Sequence, residues 1–114
     1  GEEGYLVHTN HYLSSKMQAI ENQPDELIHT RVRYHRALHL LKQENKHSTE
    51  TLQTILRDHV NDPESICNHA IYEDAPLDRE KTIVSMVMDI TERKMEVAWG
   101  NPCLNSYQTY KAEF

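Results

Sequence analysis

The stretch TIVSMVMDIT, residues 82–91, places Val84, Met86, Met88 and Ile90 in alternation with Ile83, Ser85, Val87 and Asp89. Side chains of a β-strand point alternately to opposite faces, so this pattern predicts a strand with one wholly apolar face and one mixed face. The apolar face is the one expected to be buried. Thr91, Glu92, Arg93 and Lys94 then connect to MEVAWGNP, where Met95, Val97 and Trp99 alternate with Glu96, Ala98 and Gly100. Two short alternating runs this close together predict an antiparallel hairpin, ended by Gly100 and Pro102. A chain holding such a hairpin must build a sheet and find something to cover it.

The remaining segments supply partners for that sheet. From Thr30 to Lys42, Tyr34, Ala37, Leu38 and Leu41 recur at three- and four-residue intervals, which gathers them on one face of a helix. Ser48 is placed to cap a second helix, with Glu50 at the positive end of its dipole. Leu52, Ile55, Leu56 and Val60 form the expected buried stripe, and Asn61, Asp62 and Pro63 the stop. Near the start, Tyr5 to Asn10 read as a short strand with a polar end. Ser14, Ser15, Asn22, Pro24 and Asp25 mark residues 14–29 as a connecting loop, and YEDAPLDREK, residues 72–81, as a polar excursion. The predicted order is strand, helix, helix, strand, strand: an α+β fold with a mostly antiparallel sheet and two packed helices. Three strands under two helices leave sheet edges and one sheet face uncovered.

Length and charge narrow the function. A chain of 114 residues buries about two thirds of its unfolded surface, which supports a single domain over 1–114. Twelve basic against eighteen acidic residues give a net charge of −6, which argues against a nucleic-acid partner. The six tyrosines are scattered, without the basic interleaving of a nucleic-acid surface. No apolar run approaches the ~20 residues of a membrane span, and no signal pattern opens the chain. Cys67 and Cys103, without a secretory leader, read as reduced thiols of a cytoplasmic protein.

Eight histidines raise the question of metal. His35 and His39 lie four apart on the first predicted helix, and Cys67 and His69 two apart beyond the second. A structural zinc site needs four ligands and usually a paired cysteine spacing, so neither pair makes one and no metal is expected. His59 is expected to contact the core or a loop, and Cys67 to be a small buried apolar residue. A thiol hydrolase using Cys67 with His59 or His69 would need an imidazole at bonding distance and an oxyanion site. Ser14 and Ser15 lack the glycine-flanked elbow of serine hydrolases. The methionine and tryptophan stripe of the hairpin reads as sheet core.

Taken in order, HTNHYLS, RVRYHRALHLL, ILRDHVNDPESICNHA, TIVSMVMDITERKMEVAWGNPC and SYQTYK resemble the C-terminal portion of the acyl-coenzyme A:6-aminopenicillanic acid acyltransferases. These are the C45 peptidases, relatives of choloylglycine hydrolases and acid ceramidases among the N-terminal-nucleophile hydrolases. The resemblance implies part of an αββα sandwich in which an N-terminal cysteine attacks an amide, its own α-amine serving as base. No cysteine precedes Cys67, so the family's nucleophile is expected to lie on a missing N-terminal catalytic half of the same protein. The chain alone is then catalytically silent.

The asparagine of the family's TN motif matches Asn10. An uncharged carboxamide can hold either the nucleophile's amine or a developing oxyanion; by residue type alone Asn10 would cap a turn. The family also places an arginine early in the following helix, where positive charge favours thiolate. Arg33 fits by its spacing to Thr30 and Arg36, and Arg31 by its spacing to Leu38; Arg33 is preferred and both are kept. Arg36 reads as solvating the helix face. No cofactor is implied, and the expected small-molecule partner is an N-acyl amide substrate. The GNPC turn implies a structural role for Gly100 and Pro102. The competing reading is a non-catalytic interaction module pairing through an exposed sheet edge, a feature that also allows homo-oligomers.

Overall fold

The computed structural model describes residues 4–11, 13–19, 28–71, 76 and 80–113. The chain is an α+β fold of three helices and one open sheet of three antiparallel strands among these residues. It divides into two compact units, Gly1–Glu44 and Asn45–Phe114. No helix among the described residues is long and apolar enough to cross a membrane.

In the first unit, Tyr5, Val7 and Thr9 are half-buried while Leu6, His8 and Asn10 are exposed. That is the two-residue period of an extended segment, yet residues 5–10 form no strand among the described residues. Alternation sets the backbone's two faces, but a strand also requires a hydrogen-bonded neighbour. Where a loop was expected after Leu13, a short helix α1 spans Ser15–Gln18, and the Ser14 hydroxyl accepts from the Met17 amide at 3.2 Å. Asn22, Pro24 and Asp25 lie outside the described residues.

Helix α2, Ile28–Lys42, begins two residues before the expected Thr30. Tyr34, Ala37, Leu38 and Leu41 are half-buried along it, while His35, His39 and Lys42 are exposed. The three- and four-residue spacing therefore identified the covered face.

In the second unit, helix α3 spans Thr49–Leu56. Ser48 and Thr51 form a reciprocal cap, each side chain accepting from the other's backbone amide at 3.2 and 2.8 Å. The helix stops at Leu56, and Val60, expected on its buried stripe, is exposed. The Arg57 amide donates to the Gln53 and Thr54 carbonyls, closing the last turn well ahead of Pro63.

Strands β1, Val84–Asp89, and β2, Lys94–Trp99, pair with Val84 opposite Trp99, Met86 opposite Val97 and Met88 opposite Met95. The Glu92 amide donates to the Asp89 carboxylate at 3.0 Å in the connecting turn, where Arg93 takes a left-handed φ of 54°. A third strand, β3, Gln108–Lys111, pairs with the other edge of β2. Its QTYK sequence carries no hydrophobic alternation, so nothing in the pattern announced it.

On β1 the covered side chains are the reverse of the expected ones: Ser85 and Val87 are buried, with Ala98 on the same face of β2, whereas Met86 and Met88 are exposed, Met88 by 68%. The apolar face is covered only in part, with Val97 buried at 1% exposure, Val84 and Met95 half-buried, and Trp99 and Tyr110 exposed. Polar groups on the mixed face find partners, which makes its burial cheap. The Ser85 hydroxyl lies 2.6 Å from the Tyr107 hydroxyl, and Gln53 of α3 donates to Glu96. Alternation says which side chains share a face; whether that face is covered depends on what packs there.

Candidate functional site

The first unit clamps the Thr9-Asn10-His11 segment onto the first turn of α2. Thr30 does most of this. Its hydroxyl, on a residue only 4% exposed, accepts from the Asn10 amide at 2.5 Å and lies 3.3 Å from His11 Nδ1. Its carbonyl accepts from the Thr9 hydroxyl at 2.9 Å. The buried His11 ring meets Tyr34 edge-on, with ring centroids 5.5 Å apart.

One helical turn beyond Thr30, Arg33 donates from its guanidinium to Asn10 Oδ1 at 2.8 Å. Residues three apart on a helix are surface neighbours, so the pairing that fastens the Asn10 backbone to Thr30 also presents its side chain to Arg33. A guanidinium has donors and no acceptor, so the carboxamide must turn its oxygen toward Arg33. The amide nitrogen is then left to donate elsewhere, and Asn10 is exposed. The Arg33 charge and the Asn10 carboxamide therefore stand side by side, 2.8 Å apart.

Of the residues singled out in the sequence, Asn10 and Arg33 are thus together. Arg31, half-buried on the same helix, is two residues from Arg33, about 200° around the axis, and faces another way. Arg36 is half-buried as well.

The second unit holds a gathering of which spacing had marked only the Cys67 and His69 pair. His59, Cys67, His69 and Cys103 bring one nitrogen or sulfur each to within 4.8 Å of one another. His59 follows α3, Cys67 and His69 lie in the next loop, and Cys103 comes after the hairpin. Cys67 is fully buried, as its reading as a small apolar residue required, which keeps its sulfur from any substrate. The Cys103 thiol is pushed up by desolvation first and then by neighbouring Cys67, against the direction a nucleophile needs. The sequence had set Cys67 beside His59 and His69 as a possible pair but gave nothing to join Cys103 to them, because thirty-three residues separate it from His69.

The family model of the acyl-coenzyme A:6-aminopenicillanic acid acyl-transferases matches residues 1–103, and the chain belongs to that family. The match takes in Asn10, Arg33 and all four His and Cys residues of the cluster, and stops short of β3. A comparison with curated proteins gave no match.

Proposed function

We propose that this chain is the C-terminal part of a cysteine N-terminal-nucleophile amidohydrolase or acyltransferase acting on N-acyl amides through an acyl-enzyme. Family membership supports the reaction class, and the 2.8 Å bond from Arg33 to Asn10 Oδ1 is the observation that carries the role of this chain. With its oxygen fixed, the Asn10 carboxamide acts as a donor, which suits a developing oxyanion better than the amine of the nucleophile. Arg33 adds a nearby positive charge that favours both thiolate and oxyanion. The attacking sulfur comes from another segment of the enzyme. Cys67 does not suit the task, because it is fully buried. The partners are therefore the nucleophile-bearing half and a small N-acyl amide. Two unpaired thiols fit a reducing cytoplasmic setting.

The exposed Met86, Met88, Trp99 and Tyr110 face favours a second, compatible role as the surface on which the other layer of an αββα sandwich stacks. Replacing Asn10 with alanine in the full-length enzyme tests the catalytic reading. Hydrolysis of an N-acyl amide should fall by about 10²–10³ in kcat, the usual cost of one oxyanion donor. Unchanged kcat would remove Asn10 from the mechanism.

A further inference from the structure

We propose that His59, Cys67, His69 and Cys103 bind a zinc ion, tetrahedrally and with all four positions filled by protein, as a structural clasp. A zinc ion with Zn–N of about 2.05 Å and Zn–S of about 2.3 Å sets ligand-to-ligand distances of about 3.3 Å for N to N and about 3.6 Å for N to S. His59 Nε2 and His69 Nε2 are 3.2 Å apart, Cys67 Sγ and His69 Nε2 3.6 Å, and Cys103 Sγ and His69 Nε2 3.4 Å. Three of the tetrahedron's edges are therefore already at length.

Hydrogen bonding does not account for this convergence. His69 Nε2 faces a nitrogen and two sulfurs at once, while one imidazole nitrogen offers a single proton or a single lone pair. A cation at the common centre satisfies all four groups together. Two thiols with two imidazoles form a soft donor set that selects zinc over magnesium or calcium, and four protein ligands leave no position open for substrate water. On binding, each thiol gives its proton to solvent and the ion sheds its waters, so the two thiolates balance its charge.

The backbone around the cluster is held as a ligand shell needs. The Cys67 amide donates to the Asp58 carbonyl at 3.0 Å, setting Cys67 beside His59, and the His69 amide donates to the Pro63 carbonyl at 2.8 Å. Asn101 donates from Nδ2 to the Asn68 carbonyl at 2.7 Å and toward Cys67 Sγ at 3.6 Å, an outer contact of the kind that steadies a metal-bound thiolate. Arg57 Nε donates to the Pro102 carbonyl at 3.1 Å, next to Cys103. A bound ion would tie the loop after α3 to the turn after β2.

The test uses the chain in reducing buffer, stripped of metal with a chelator and titrated with zinc against a chromophoric competitor, then separately with cobalt(II). One zinc per chain is expected, together with intense visible cobalt absorption of tetrahedral type and a thiolate-to-cobalt charge-transfer band. Thermal unfolding should shift upward with zinc and not with magnesium. His59→Gln and Cys103→Ser alter exposed residues, so both should fold and each should weaken zinc binding by more than about a hundredfold, beyond the loss caused by an outer-shell change. Absence of tight uptake, a pale octahedral cobalt spectrum, or wild-type zinc affinity in both variants would overturn the proposal.

Discussion

Replacing Asn10 with aspartate separates the catalytic role proposed for this residue from its structural one. The change keeps an oxygen facing Arg33 and leaves untouched the Asn10 amide bond to Thr30, so the clamp on α2 persists. The charge-assisted bond from Arg33 to a neutral carboxamide becomes an ion pair at an exposed position, worth about 0–1 kcal/mol. Stability of the first unit should therefore stay level or rise slightly. Catalysis loses the amide donor and gains an anion facing the developing oxyanion. Loss of one such donor alone costs about 2.7–4 kcal/mol, or about 10²–10³ in kcat. The assay is release of a chromogenic amine from an N-acyl amide by the full-length enzyme, run beside thermal unfolding of the same variant. A kcat within about threefold of wild type, less than 1 kcal/mol of barrier, refutes the oxyanion reading. So does a loss of activity that merely follows a loss of fold.

Other predictions concern the second unit. Tyr107, half-buried, has its pKa raised, by burial first, with its bond to Ser85 and nearby Arg57 acting the other way. A raised phenol pKa means that the folded state holds its proton longer than the unfolded one. Its contribution is thus fully present below pH ~10 and is lost as pH rises through the folded value; Tyr107→Phe should flatten that alkaline decline in denaturant unfolding. Gly100 takes a left-handed φ of 87°, and a Cβ there would lie 2.9 Å from Asn105 Nδ2, itself bonded to the Asn101 carbonyl. Gly100→Ala should lower the urea midpoint by about 1 kcal/mol or more of stability without changing the slope. Met88→Glu, on the exposed face, should leave the stability of the chain within about 0.5 kcal/mol, whereas a buried position would lose several times that.

Much of the fold was legible because it rests on local rules. Three- and four-residue spacing marked the covered face of α2, Ser48 marked the start of α3, and alternation marked both strands of the hairpin with their turn. The misjudged elements are those fixed by distant partners. Residues 5–10 have the period of a strand but pair with no strand among the described residues. QTYK becomes a strand because β2 offers it an edge. The mixed face of the hairpin is covered because Tyr107 meets Ser85 of β1 and Gln53 donates to Glu96 of β2, which no pattern within either strand could announce.

The two candidate sites differ in legibility for the same physical reason. Thr30 and Arg33 are one turn apart, so a single helix presents both, and a short segment ending in Asn10 can meet them together. The cluster of His59, Cys67, His69 and Cys103 draws its ligands from a helix end, a loop and a turn beyond a hairpin, and the hairpin's length hides the relation in sequence. Each of its ligands looks ordinary alone: a loop histidine, a buried thiol, an exposed cysteine. What distinguishes them is one imidazole nitrogen approached by three other donor atoms. Valence limits a nitrogen to one hydrogen bond of this kind, and that excess of neighbours is visible only in three dimensions.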